Sequence, residues 1–157
     1  MKSSKKLLTL CLIQRGQKLL LGMKKRGFGK GRWNGFGGKV NSNESIDLAA
    51  KRELKEETGI IAQDMEKFGI LDFKFPNNPE IWQMHIFKVQ KFKGEPQESE
   101  EMRPQWFHVK DIPFEQMWPD DKYWIPLFLR ERKFQGAFLF DESDNILEKK
   151  LFEVKEL

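Results

Sequence analysis

Six of the fifteen residues from Arg26 to Val40 are glycine, and this stretch constrains the fold more than any other. Glycine at that density predicts a loop whose backbone takes left-handed angles or passes very close to another part of the chain. Two apolar runs typical of strands, at 7–13 and 18–23, precede it and are joined by a short polar turn. That order predicts a β-hairpin followed by a long, structured loop.

A helix is predicted directly after the glycine-rich stretch. Ser42, Asn43 or Ser45 can cap its N-terminus, and apolar residues then recur at helical spacing. Gly59 supplies the stop signal, because glycine readily takes the left-handed conformation that ends many helices.

The last turns of this helix carry three acidic side chains at Glu53, Glu56 and Glu57. Residues three and four apart are neighbours on a helix, so these carboxylates repel each other, and the C-terminal end of a helix disfavours anions. A solvated acidic face is the simplest interpretation of any one of them. The three together, next to a glycine-rich loop, instead predict a site for a hard divalent cation, with one glutamate free to act as a general base.

The rest of the chain adds strands and one more helix. Predicted strands span 68–75, 81–92, 105–109, 134–140 and 146–154. The second helix opens at Pro119, and Pro126 either kinks it or delays its start. Fourteen Phe and five Trp supply ample apolar surface for one core. Without a repeat or a linker, the pattern predicts one layered α/β domain over residues 1–157.

Charge and cysteine content narrow the setting. The net charge of +4 permits an acidic partner such as a nucleotide. Cys11 is the only cysteine, so no internal disulfide can form and a reducing intracellular setting is favoured. The apolar run at 7–13 is read as a strand and not as a signal peptide, and no run reaches transmembrane length.

Glu44 follows Gly38 after five intervening residues, and after seven more the chain reads RELKEETGI from Arg52 to Ile60. This spacing matches the complete Nudix box. The chain thus resembles the Nudix hydrolase family. Three further segments, LLLGMKKRGFGKGRWNGFGGKV, EMRPQWF and FEQMWPDDKYW, resemble the branch of that family that hydrolyses oxidised purine nucleoside triphosphates. The similarity covers nearly the whole chain.

The resemblance implies an α/β/α sandwich with a mixed β-sheet and two main helices. It implies hydrolysis of 8-oxo-dGTP and 2-hydroxy-dATP to the monophosphate and pyrophosphate, with Mg²⁺ as cofactor and Mn²⁺ as a substitute. The metal ligands carried over by match are Gly37, through its carbonyl, Glu53, Glu56, Glu57 and Glu101. Arg52 would orient the carboxylates and completes the catalytic set with the three glutamates of the helix.

Asp120 and Asp121 follow Trp118 in an aromatic-rich segment. Helix capping is the simplest interpretation of both. Two adjacent carboxylates beside apolar surface can also separate their pKa values, so that the pair holds one proton and offers both a donor and an acceptor. The resemblance favours base recognition by this pair and stacking by Trp118.

The other substrate contacts are implied by the resemblance alone. They are Thr9, Lys24, Phe28, Asn34, Phe36, Gly37, Gly38, Lys39, Phe73, Phe75, Trp82, Met102 and Pro119. Trp82 departs from the family pattern, which has Met there, and Gln83 follows it in place of Asp. Strand alternation places Trp82 in the pocket, but a one-residue slip would turn Gln83 into it instead.

Three functions remain open from the sequence. The first is the oxidised-purine triphosphatase. The second is Nudix chemistry on capped RNA, a dinucleoside polyphosphate or ADP-ribose. The third is a nucleotide- or RNA-binding module without activity. For the first, we expect a monomer that binds small-molecule nucleotides, with no membrane partner and no stable nucleic acid complex. The expected location is the cytoplasm, with the nucleus and mitochondrion as alternatives.

Overall fold

The computed structural model describes residues 4–157; residues 1–3 of the predicted 1–157 domain lie outside the described residues. The strands are β1 Lys5–Arg15, β2 Lys18–Lys24, β3 Trp33–Asn34, β4 Ile61–Lys74, β5 Ile81–Lys93, β6 Met102–His108, β7 Lys133–Phe140 and β8 Ile146–Val154. The helices are α1 Ile46–Thr58 and α2 Asp121–Leu129, with a 3₁₀ turn at Phe114–Gln116.

Within residues 4–157, eight strands form one mixed sheet in the order β3-β2-β1-β5-β4-β7-β8, and β6 pairs with β2. The pairs β1–β5 and β4–β7 are parallel, and the other strand pairs are antiparallel. The predicted hairpin is β1–β2, whose turn uses Gly16 at φ 60°.

Each face of the sheet buries one helix. Alternate side chains of a strand point to opposite faces, so Cys11 and Ile13 pack with Leu54 of α1, whereas Leu12 packs with Trp124 of α2. The two core clusters lie on the two faces, which makes the fold an α/β/α sandwich, as predicted.

The predicted ends of α1 are confirmed. Ser45 is the N-cap, and its hydroxyl accepts a hydrogen bond from the Leu48 N–H at 3.2 Å. Gly59 ends the helix at φ 79°, with its N–H donating to the Lys55 carbonyl at 2.9 Å. Both contacts satisfy backbone groups that a helix terminus leaves without partners.

Two predicted strand starts are wrong. β4 begins at Ile61 instead of 68, because register shifts between Ala62 and Gly69 break the alternation that reveals a strand. β6 begins at Met102 instead of 105. The strand includes Pro104, which is tolerated because β6 is an edge strand.

Pro126 lies inside α2 and does not delay its start, since the helix begins at Asp121. Beyond the C-terminal end of α2, the buried Lys88 Nζ donates to the Phe128 carbonyl at 2.8 Å and to Glu131 at 2.7 Å. A cation at this position satisfies the last carbonyls of the helix and favours its negative end.

The glycine-rich loop runs back along the hairpin. On the N-terminal side of Ile13, β1 separates from β2, and the segment from Trp33 to Val40 fills the gap with hydrogen bonds to both strands. Gly37 lies so close to β1 that a Cβ there would overlap the Thr9 carbonyl. Gly27, Gly29 and Gly31 take positive φ values, so both predicted reasons for the glycines are confirmed.

Within residues 4–157, no helix combines the length and apolarity needed to span a bilayer.

Gly136→Ala tests the close packing of β7 on β8. A Cβ at Gly136 would overlap the Lys150 carbonyl, so this substitution should lower the free energy of unfolding by about 1–3 kcal/mol through overpacking. Urea denaturation measures it, with Gln135→Ala on the same strand as control. Equal stability of the two variants would contradict the packing described.

Candidate active site

The C-terminal half of α1 brings Glu57 to the glycine-rich loop. Its side chain is only 3% exposed, and it accepts a hydrogen bond from the Gly37 N–H at 2.7 Å. Burial raises the pKa of Glu57 to about 8, although the charge of Lys24 and the Gly37 bond oppose the shift. A buried carboxyl in this setting gains from a nearby cation, because a cation favours its ionised form.

Glu53 occupies the preceding turn and is held against Gly38. A Cβ on Gly38 would lie 2.6 Å from the Glu53 carboxyl carbon, so a larger residue there would require the Glu53 side chain to move. Partial burial raises the pKa of Glu53, and Arg52 opposes the shift. Gly38 therefore allows the Glu53 carboxyl to lie directly against the loop.

Arg52 links the loop to the helix. Its guanidinium donates to both oxygens of Glu44 at 2.7 and 3.0 Å, to Glu53 at 2.9 Å and to the Lys39 carbonyl at 3.1 Å. It also lies 3.3 Å from Glu56. Bidentate arginine–carboxylate pairs fix geometry as well as charge, so Glu44 orients Arg52, which in turn orients the glutamates.

The metal ligands predicted from the sequence have the chemistry that a hard divalent cation prefers. They supply only oxygen donors, and the negative charge of Glu101 acts on both Glu53 and Glu57. Within the described part of the chain, no three His, Cys, Asp or Glu side chains are gathered into a ready metal cluster. Instead Glu101 pairs with Lys24 at 3.2 Å, and Glu56 pairs with Arg52.

One cavity of about 280 Å³ begins beside these groups and extends over the α2 face of the sheet. Predicted contacts that line it are Thr9, Lys24, Phe28, Asn34, Gly37, Gly38, Lys39, Phe73, Phe75, Trp82, Met102, Trp118, Asp120 and Asp121, with Glu57. Phe36 and Pro119 do not line it. Phe36 is fully buried in the core beneath α1, against Gly22, because strand alternation turns it to the other face.

Asp120 and Asp121 are both buried, at 4% and 7% exposure. Asp120 makes no capping bond and accepts a hydrogen bond from the Trp124 indole at 2.8 Å. Burial raises the pKa of both carboxyls, and the charge of Asp120 raises the pKa of Asp121 further. Two carboxylates this close do not both ionise readily, and their burial favours a proton retained by the pair.

Aromatic side chains form the rest of the cavity wall. Phe28, which is 57% exposed, stacks on Trp118 with ring centroids 5.0 Å apart and meets Trp82 edge-on at 5.0 Å. Phe75 meets Trp82 edge-on at 4.9 Å. Faces of this kind suit a flat heteroaromatic ring.

The direction of Trp82 is settled by its neighbours. Trp82 lines the cavity, whereas the amide of Gln83 bonds to Asp72 and His85, each at 3.0 Å. Lys6 Nζ lies 4.5 Å from the centre of the Trp82 ring. The one-residue slip left open by the sequence does not occur.

Sequence reasoning missed several cavity residues. They are Lys6, Leu8, Leu10, Leu12, Gly35, Met84, Met117, Trp124, Ile125 and Phe140. Alternation along β1 could have identified Leu8, Leu10 and Leu12 as one face. Phe140 carries no local signal, because β7 reaches the cavity only through the sheet order.

Comparison with known proteins gives consistent matches. The family described as NUDIX domain matches residues 5–128. Oxidized purine nucleoside triphosphate hydrolases of Mus musculus and Danio rerio are 53% and 52% identical over 152 residues, 97% of this chain and 97% of each relative. A MutT protein structure from Bacillus halodurans superposes with a TM-score of 0.82 at 30% identity, covering 93% of this chain and 97% of that one.

The proton held by Asp120 and Asp121 should make stability depend on pH. The unfolded chain releases it above an ordinary aspartate pKa of about 3.9. The stabilisation that the shared proton gives the folded state is therefore greatest below that pH. It is lost as pH rises towards the raised folded-state pKa.

Between about pH 5 and pH 7, the free energy of unfolding should therefore decline less in Asp121→Asn than in the parent. Urea denaturation at both pH values measures this decline. Asp111→Asn is the control for loss of an exposed aspartate. If the free energy of unfolding declines equally in the parent and in Asp121→Asn, the shared proton is contradicted.

Proposed function

The chain belongs to the Nudix family and is a Nudix hydrolase, and on that premise we propose that it hydrolyses oxidised purine nucleoside triphosphates, such as 8-oxo-dGTP and 2-hydroxy-dATP, to the monophosphate and pyrophosphate. One observation carries the proposal: Glu57 and the pair Asp120 and Asp121 line the same cavity. A single bound nucleotide can therefore contact both Glu57 and the aspartate pair. The names of the mouse and zebrafish relatives support the same substrate class.

Nudix hydrolases generally need a divalent cation, and the proposed ion is Mg²⁺, with Mn²⁺ as a substitute. Its ligands would be the Gly37 carbonyl and the carboxylates of Glu53, Glu56, Glu57 and Glu101. When bound, such an ion neutralises charge on the phosphates and makes water a better nucleophile.

The chain's own residues carry the remaining steps. Arg52 fixes the positions of the Glu53 and Glu56 carboxylates by donating hydrogen bonds to both. One of the three helix glutamates takes the proton of the attacking water as general base. Lys24 lines the cavity beside Glu101, where its charge attracts the phosphate groups.

Recognition of the oxidised base rests on the aspartate pair. Guanine presents N7 as an acceptor, and oxidation at the adjacent carbon turns N7 into a donor. A pair that holds one proton offers an acceptor to that new N–H and a donor to a neighbouring oxygen. Buried polar groups left without partners are costly, so the intact purine binds less well.

Pyrophosphate release with Mg²⁺ over a nucleotide panel tests the proposal. We expect 8-oxo-dGTP and 2-hydroxy-dATP to exceed dGTP and dATP in kcat/KM. Preference for capped RNA, a dinucleoside polyphosphate or ADP-ribose would assign another Nudix substrate. Binding without turnover would make the chain a nucleotide-binding module. The proposal also includes a monomer that works on free nucleotides in the cytoplasm.

Glu56→Gln and Glu57→Gln test the metal assignment. Each should abolish most turnover while leaving the fold intact, and Mg²⁺ should raise the melting temperature of the parent more than that of either variant. Glu148→Gln, an exposed change on β8, is the matched control. Near-parent activity in both variants would show that these carboxylates do not bind the ion.

Trp82→Met tests the departure from the family pattern. A rigid indole that faces the cavity restricts its shape, whereas a flexible thioether adapts to different ligands. We expect the variant to gain activity on oxidised adenine relative to oxidised guanine nucleotides. The measurement is the ratio of kcat/KM for 2-hydroxy-dATP and 8-oxo-dGTP. An unchanged ratio would mean that Trp82 does not set selectivity.

A further inference from the structure

Trp118 owes much of its position to the glycine-rich loop. Phe28 stacks on it, and a Cβ on Gly29 would lie 3.2 Å from its indole nitrogen. The guanidinium carbon of Arg32 lies 4.1 Å from the centre of the same ring. Arginine over the face of a tryptophan is a favourable cation–π arrangement, so Arg32 adds an electrostatic contact to those that Phe28 and Gly29 make with Trp118.

Arg32 is itself held from two directions. Its Nη2 lies 3.3 Å from the carboxylate of Asp144, in the turn between β7 and β8. Its carbonyl accepts hydrogen bonds from the Asn34 amide and from the Lys24 N–H, each at 3.0 Å. Side chain and backbone are therefore both fixed, which limits the freedom of the guanidinium over Trp118.

Arg32 is absent from the cavity lining, whereas Trp118 and Asn34 are part of it. Any effect of Arg32 on a bound base must therefore pass through these neighbours or through its charge. The charge of Arg32 also acts on Asp120 and Asp121, where it lowers the pKa of both carboxyls and so opposes the effect of burial.

We propose that Arg32 is a positioning residue for base recognition, which holds Trp118 against the cavity through a cation–π contact that the ion pair with Asp144 fixes. Arg32 touches neither the base nor the phosphates. It pre-organises the surface on which the base stacks, so its contribution appears in binding and not in the chemical step. The inference rests on the proposed function for the identity of the base, but not for the geometry.

The test compares Arg32→Gln, Asp144→Asn and the double variant with the parent, on whichever panel nucleotide the parent hydrolyses best. Arg32→Gln should raise KM, and the Kd of the monophosphate product, by about five- to thirtyfold, the factor that a cation–π contact supports. Its kcat should stay within about threefold of the parent, since uniform binding alone is lost. Asp144→Asn should shift KM in the same direction by a smaller factor.

The double variant separates this account from two independent surface effects. Because Asp144 acts through Arg32, adding Asp144→Asn to Arg32→Gln should leave KM unchanged. Lys30→Gln, an exposed change on the same loop, removes one positive charge without the contact and should match the parent.

Three results would overturn the proposal. They are an unchanged KM and Kd in Arg32→Gln, a fall in kcat with KM preserved, or additive effects in the double variant. Should Arg32→Gln fail to fold, Asp144→Asn alone decides, and an unchanged KM there overturns the proposal. A parent that prefers a different nucleotide contradicts the proposed function but leaves this comparison valid.

Discussion

Burial of carboxyl groups in the lining of one cavity is the constraint on which the site depends. Glu57 is nearly buried on α1, and Asp120 and Asp121 are nearly buried before and within the first turn of α2. An ionised carboxylate taken out of water must find a cation or a proton. Glu57 lies beside the proposed metal site, where a bound cation would supply positive charge, and burial favours a proton retained by the aspartate pair. The same physical cost therefore underlies both the proposed metal site and the proposed base-reading site.

The glycine-rich loop makes this arrangement geometrically possible. It fills the gap where β1 leaves β2, brings Gly37 and Gly38 against Glu57 and Glu53, and continues from Phe28 and Arg32 at Trp118. Side chains larger than hydrogen would overlap Thr9 at 37 and crowd Glu53 at 38. One loop thus connects the proposed metal site to the aromatic wall.

Local signals predicted much of this fold, and contacts distant in sequence explain most of the rest. Ser45 and Gly59 marked the ends of α1 because capping depends on adjacent residues. The early start of β4 was missed because bulges remove the alternation. The spacing of Glu53, Glu56 and Glu57 indicated a cation site, and the family resemblance supplied the base pocket. Phe36 was misplaced in that pocket, and Phe140 was missed, because the face or strand order that decides their position is set by the whole sheet.

The central claim, that Asp120 and Asp121 hold one proton between them, is tested most directly by nuclear magnetic resonance. Carbon-13 chemical shifts of aspartate carboxyls can be followed across pH in the parent, with Asp120→Asn and Asp121→Asn used for assignment. The account predicts that one carboxyl of the pair stays protonated at neutral pH. Two carboxyls that both titrate near the ordinary aspartate value of about 3.9 would contradict it.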